Sequence, residues 1–149
     1  MLHFEGERDF PLSPSELWAK LRDARFLVTC IPDATIKGEP QRDKAVCTVR
    51  PGFAFVGGTL DTTIEILAGN EPTNLRFLLS SKGIGTSSDV ESTLTISAAG
   101  IGSHVHWVAE VTRLGGLLKA VPSGLISGAA RKTIDDVWAG IGQKLKGEL

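Results

Sequence analysis

Between Ala34 and Leu114 the chain is a succession of short segments in which apolar and polar residues alternate. From Leu125 to Leu145 it is one amphipathic stretch without a proline. These two features together constrain the fold more than any others. Alternation with a period of two turns one face of each segment toward a core, which is the pattern of half-buried strands. Six such runs stand out: "TIKGEP", "KAVCTVRP", "GGTLDTTIEILA", "NLRFLLSSK", "SSDVESTLTISA" and "SHVHWVAEVTRL". The breaks between them, "QRD", "PGFAF", "GNEPT", "GIGT" and "AGIGS", supply the Gly, Asn, Pro and Asp that turns require. Short connections between successive strands predict an antiparallel meander. Its apolar face must be covered. In the terminal stretch Ile126, Ala130, Ile134, Val137, Ile141 and Leu145 recur at helical spacing, with Arg131, Lys132, Asp135 and Asp136 elsewhere on the helix. That helix supplies the covering stripe.

The opening residues complete the plan. "LHFEGERDF" alternates Leu2, Phe4 and Gly6 with His3, Glu5 and Glu7, and predicts a first strand. Ser13, followed by Pro14 and by Glu16 three positions on, forms a capping-box pattern that starts a helix at Pro14, with Leu17, Trp18 and Leu21 as its stripe. Asp23 caps a second short helix through "ARFLVTC", and Pro32 closes that segment. The expected architecture is α+β: a curved antiparallel sheet wrapped around a long C-terminal helix, with two short helices after the first strand. A chain of 149 residues is the size of one domain, so residues 1–149 are read as a single one.

Charge and composition remove several function classes. Sixteen basic and seventeen acidic residues leave a formal charge of -1, which offers no overall field for a nucleic acid. The charged start "MLHFEGERDF" is unlike a signal peptide, and no apolar run is long enough to span a bilayer, so a cytoplasmic protein is expected. Cys30 and Cys47 lack metal or redox spacing and read as small buried apolar groups. No tyrosine is present to serve as a catalytic phenol. His104 and His106 share one strand face, a geometry open to a metal, but the opposite face is the apolar one, so both are expected on the solvated side beside Glu110. No nucleophile elbow, dinucleotide fingerprint or phosphate loop occurs, and the residues name no catalytic group, metal or cofactor.

What remains are residues able to line a space between sheet and helix. Leu60, Thr62, Ile64 and Ile66 share a face of one strand, Leu75, Phe77 and Leu79 of the next, and Val105, Trp107 and Ala109 of the last. By themselves such stripes read as packed core. Gly124, Gly128, Ala129 and Ala130 let the helix either approach the sheet or leave space beneath it. Phe53 and Phe55, set in a Gly and Pro turn, are placed as gates of a tunnel mouth. Leu117, Leu118, Val121 and Leu125, among Gly115, Gly116 and Gly124, read either as a pliable lid or as a hydrophobic contact with a partner or a membrane surface. Arg50 and Arg131 are the polar groups to watch as ligand-orienting donors.

The element order, with "ELWAKLRDARFLVTCIPD" early and "LISGAARKTIDDVWAGI" late, resembles the carbon monoxide dehydrogenase G-subunit family of the START-like, helix-grip superfamily. The resemblance runs over essentially the whole chain. It includes Phe4 and Gly6 of an opening F-x-G strand, Trp18 in the first helix, the "CIPD" segment and the Gly, Ala and Arg cluster of the last helix. Asp33 stands where the family usually has Gly, and Trp138 where it often has Phe. Some members carry a hydrophobic membrane tail beyond the last helix, whereas this chain stops at Leu149. The resemblance implies binding of a hydrophobic small molecule, quinone-like or lipid-like, as an accessory to a molybdenum hydroxylase such as a carbon monoxide dehydrogenase. The protein would then be cytoplasmic or peripheral at the inner face of the membrane. The ligand-binding set it implies is Phe53, Phe55, Leu60, Thr62, Ile64, Leu75, Phe77, Leu79, Trp107, Leu118, Val121, Leu125 and Ala129, with no catalytic or metal-binding residue. The rival readings are a polyketide cyclase-like enzyme using the same cavity and a docking or assembly protein without ligand.

Overall fold

The structure, a computed structural model, describes residues 2–50 and 58–147. In chain order the elements are β1 (His3–Phe10), α1 (Pro14–Leu21), α2 (Ala24–Thr29), β2 (Thr35–Lys37), β3 (Lys44–Val49), β4 (Leu60–Asn70), β5 (Asn74–Gly83), β6 (Thr86–Ala99), β7 (Gly102–Gly116) and α3 (Ser123–Gly147), with a 3-10 turn at Leu117–Ala120. The seven strands form one antiparallel sheet in the order β1-β7-β6-β5-β4-β3-β2. Strand β1 closes the meander by pairing with β7, from His3 opposite Glu110 to Phe10 opposite Ser103. This is the helix-grip arrangement: a curved sheet, two short helices after β1 and one long helix across the concave face.

Local chemistry sets the ends of the short helices. The Ser13 hydroxyl accepts from the Glu16 amide at 3.4 Å and donates to the Glu16 carboxylate at 3.0 Å, with Pro14 in the first turn of α1. Asp23 caps α2 by accepting from the Arg25 amide at 2.9 Å. The Arg25 side chain also hydrogen-bonds this carboxylate and holds its pKa below the ordinary value. The two helices plug one end of the sheet: Leu17, Leu21, Leu27 and Val28 are buried, and the Trp18 indole donates to the Asn74 carbonyl at 2.9 Å.

Two register shifts curve the sheet, one at Ile66/Ala68, where Leu67 is the extra residue of β4, and one opposite Asp89/Val90 of β6, where Thr112 is the extra residue of β7. The second lets Val111 and Leu114 of β7 both face inward despite their odd spacing. Gly115 and Gly116, read from sequence as part of a pliable entrance, are the end of β7, where Gly116 pairs with Thr86. Gly116 has φ 63, and a Cβ there would lie 1.9 Å from the Gly85 carbonyl oxygen, so the strands meet this closely because the residue is glycine.

At Gly140 the long helix closely approaches the end of α2. A Cβ on Gly140 would sit 2.6 Å from the Cys30 carbonyl oxygen, whereas Gly128 and Gly142 face open space. Substitutions along this one helix are therefore expected to differ in sign. Gly140→Ala gains about 1 kcal/mol of helix propensity but loses about 1–3 kcal/mol to overpacking against backbone, and should lower the urea midpoint. Gly128→Ala and Gly142→Ala should raise stability by about 0.4–1 kcal/mol each. Equal effects at the three positions in urea denaturation would show that Gly140 is not a contact point.

Candidate functional site

The covering of the concave face changes along α3. Its second half presents large side chains. Trp138, Ile141 and Leu145 are buried, and Trp138 stacks on Trp107 with ring centroids 6.1 Å apart and meets Phe10 at 6.2 Å. Its first half presents Ile126, Ala129, Ala130 and Thr133, and beneath them lies a cavity of about 280 Å³. The space exists because two alanines stand over the sheet where the next turns carry a tryptophan and an isoleucine.

A roof, a floor and one side wall bound it. Helix α3 gives the roof, which ends at Val137. Val49, Leu60, Leu79, Val90, Val111 and Leu114 make an apolar floor across five strands. Thr62, Ser81 and Ser88 add hydroxyls to that floor. Ile31, Pro32 and Asp33, between α2 and β2, form the side wall. The charged lining residues Asp33, Arg50, Lys132 and Asp136 are exposed or half-exposed, so they belong to the rim. Lys132 is bonded to Asp136 at 2.7 Å, and this carboxylate, with Asp33 farther off, keeps the ammonium pKa above its ordinary value.

The residues singled out from sequence separate into groups. Leu60, Thr62, Leu79 and Ala129 line the cavity. Ile64, Leu75, Phe77 and Trp107 share the concave face with them but belong to the packed core rather than the cavity wall. Trp107 is 3% exposed, capped by Trp138, and lies against Gly6, where a Cβ would fall 2.6 Å from the indole ring. Its indole N–H has no hydrogen-bond partner among the described residues, so this ring acts through area and stacking. Leu118 is buried and Val121 half-buried, both outside the lining, and Leu125 points to solvent at 55% exposure. Phe53 and Phe55 lie outside the described residues. Arg50 reaches the rim, but Arg131 does not. The Arg131 guanidinium lies 5.6 Å from the Trp107 ring centroid and donates to the Glu5 carbonyl at 3.4 Å, tying α3 to the β1 edge.

Ser81 and Ser88 escape a reading of the sequence because "SSK" and "SSD" flank a turn and look solvated. A signal is present: Ser81 is in phase with Leu79 and Phe77 on β5. Asp33 stands where the family resemblance suggests Gly, and its φ of 56 is a conformation that suits Gly. Aspartate tolerates the left-handed region better than most residues, and here it also brings a carboxylate to the cavity rim.

Cys47 is fully buried on the concave face opposite Thr62, and burial pushes its thiol pKa up, which favours the inert, protonated form. Cys30 is likewise a buried thiol. Among the described residues no group of three His, Cys, Asp or Glu side chains could hold a metal ion, and no helix is long and apolar enough to cross a membrane.

The histidines of β1 and β7 lie on the outer face. His3 bonds Glu5 at 3.1 Å and Glu110 at 3.3 Å, and His104 bonds Asp9 at 2.6 Å and lies 3.4 Å from Glu7. These carboxylates raise both imidazole pKa values above 6.5. A raised folded-state pKa stabilises fully below the unfolded value near 6.5 and loses that contribution as pH climbs through the folded value. The β1–β7 pairing should therefore be slightly tighter at pH 5.5 than at pH 8. The His3→Gln/His104→Gln variant should flatten that difference in thermal melts, and NMR titration should find both imidazoles above 6.5. Values at or below 6.5 would show that these ion pairs are absent in solution.

Comparison with known proteins places the chain. The family model for the G subunit of carbon monoxide dehydrogenase (CoxG) matches residues 6–146. The chain belongs to the CoxG family. Its fold recurs in solved structures at low sequence identity. A conserved protein from Geobacillus kaustophilus is 21% identical with a TM-score of 0.81, covering 98% of this chain and 96% of its own. A protein from Mycobacterium smegmatis is 17% identical with a TM-score of 0.68, covering 99% and 93%. The AHSA1 protein from Silicibacter pomeroyi is 12% identical with a TM-score of 0.67, covering 99% and 100%. No curated protein matches the chain. For a CoxG family member, the cavity beneath the first half of α3 is the candidate functional site.

Proposed function

We propose that this CoxG family protein is a non-enzymatic carrier. It would enclose a hydrophobic small molecule, quinone-like or lipid-like, between sheet and long helix as an accessory to a carbon monoxide dehydrogenase-like molybdenum hydroxylase. The observation that carries the reading is the cavity itself: an apolar space of about 280 Å³ left open under Ala129 and Ala130, whereas the second half of α3 buries Trp138, Ile141 and Leu145. That volume lies at the small end of ligand pockets. It suits a head group of one or two rings, with a longer chain leaving through the mouth. Burial of apolar ligand surface contributes about 25 cal/mol per Å² before the costs of ordering. The charged lining groups stand at the exposed rim and the deeper lining is alkyl and hydroxyl, an arrangement suited to desolvating a ligand rather than to acid–base chemistry on it.

The partner and the quinone-like or lipid-like class follow from the family, and the enclosed apolar site from the cavity. The test is a titration with a short-chain benzoquinone, following tryptophan fluorescence. The Trp107–Trp138 stack borders the cavity at Val137, so saturable quenching at one site per chain is expected. Quenching that rises linearly without saturation would remove quinones from the reading. A parallel solvent extract of the purified protein, analysed by mass spectrometry, would reveal a lipid cargo.

A further inference from the structure

The floor of the cavity contains a feature that a merely packed core would not need. Thr62, Ser81 and Ser88 are direct cross-strand neighbours, Thr62 opposite Ser81 and Ser81 opposite Ser88, so three hydroxyls run in one row across β4, β5 and β6. Alkyl side chains flank the row, with Leu60 in β4, Leu79 in β5 and Val90 in β6. Thr62 is 2% exposed, and a hydroxyl at such depth is unfavourable unless it is paired. The row is paired in part: Thr62 Oγ1 and Ser81 Oγ lie 3.0 Å apart. Two hydroxyls sharing one hydrogen bond keep one proton and several lone pairs to offer, and Ser88 Oγ bonds to none of the described residues.

Charge at the same site narrows the ligand further. The rim has two acids, Asp33 and Asp136, and two bases, Arg50 and Lys132, and Lys132 is already bonded to Asp136. No net positive field draws a carboxylate or phosphate inward, and no cation among the described residues reaches the floor to neutralise one there.

On the reading that the cavity holds a hydrophobic cargo, we infer that Thr62, Ser81 and Ser88 set its specificity by receiving an uncharged hydrogen-bonding group, a carbonyl or hydroxyl, on an otherwise apolar ring system. Fatty acids and other anionic amphiphiles are discriminated against. Hydroxyls suit this role because each can turn its proton to donate to a carbonyl or accept from a hydroxyl.

Three bicyclic probes of similar shape test this by equilibrium dialysis: methyl naphthyl ketone, ethylnaphthalene and naphthoate. The unmodified protein should bind the ketone about ten-fold more tightly than the hydrocarbon, the contribution of one net hydrogen bond, and naphthoate more weakly than either. In Thr62→Val/Ser81→Ala/Ser88→Ala, which removes both partners of the internal bond together, ethylnaphthalene should bind as before and the ketone should fall to its level. Equal binding of ketone and hydrocarbon by the unmodified protein would overturn the hydroxyl row while leaving the cavity reading intact, and needs no variant. Tightest binding of naphthoate would also overturn it. Failure of all three probes to bind would overturn both this inference and the cavity reading on which it rests.

Discussion

Trp138→Ala is expected to lower stability by about 3–5 kcal/mol, the range for deleting a buried large aromatic side chain. Trp138 is 5% exposed and is the hinge of the whole covering arrangement: it stacks on Trp107, meets Phe10, and marks the point on α3 where open space gives way to packed core. Its loss would join the existing cavity to a new void and strip Trp107 of its main aromatic partner. Trp138→Phe, the residue that the family resemblance suggests for this place, keeps a ring against Trp107 and should retain most of the stability. Urea denaturation followed by far-ultraviolet circular dichroism reads both. A cost below about 1 kcal/mol for Trp138→Ala, the scale of an ordinary surface or conservative change, would mean that α3 does not sit on the sheet as described.

Ala129→Phe is expected to have the opposite profile, with function lost and the fold kept. The new ring would occupy the roof of the cavity, where Ala129 now leaves room between α3 and the floor. Affinity for a one- or two-ring ligand should drop at least ten-fold, about 1.4 kcal/mol or more. Filling a pre-existing void should leave stability unchanged or raise it by about 0.5–2 kcal/mol. Leu125→Ser is the control. This exposed residue lies outside the lining, so its substitution should leave cavity binding intact. A loss of binding in Leu125→Ser with retention in Ala129→Phe would move the site from the cavity to the surface around the start of α3.

The architecture is legible in the sequence because it rests on periodicity. Alternation from Ala34 to Leu114 and the Ile126 to Leu145 stripe become the meander and the helix that covers it, and the Ser13 and Asp23 caps start the two short helices. The cavity is less legible, for a physical reason. An inward-facing residue reads the same in sequence whether the space above it is filled or empty, since that depends on which part of α3 crosses it. Thr62 and Leu79 lie under alanines, whereas Trp107 on the same face lies under Trp138. Bulges add a second difficulty, because the extra residue near Thr112 shifts the phase that places Leu114 in the wall. The side wall at Ile31, Pro32 and Asp33 comes from a connection, and no strand or helix period announces it.

The central claim is that ligand enters the space beneath Ala129 and Ala130. Methyl-resolved NMR tests it most directly, with the methyl groups of Ala129, Ala130, Thr62, Ile126 and Leu79 followed as methyl naphthyl ketone is added. These methyls should shift together along one saturating curve while Leu117 and Leu125, exposed on the surface, stay in place. Shifts confined to Leu117 and Leu125, or no saturable shift at any methyl lining the cavity, would contradict it.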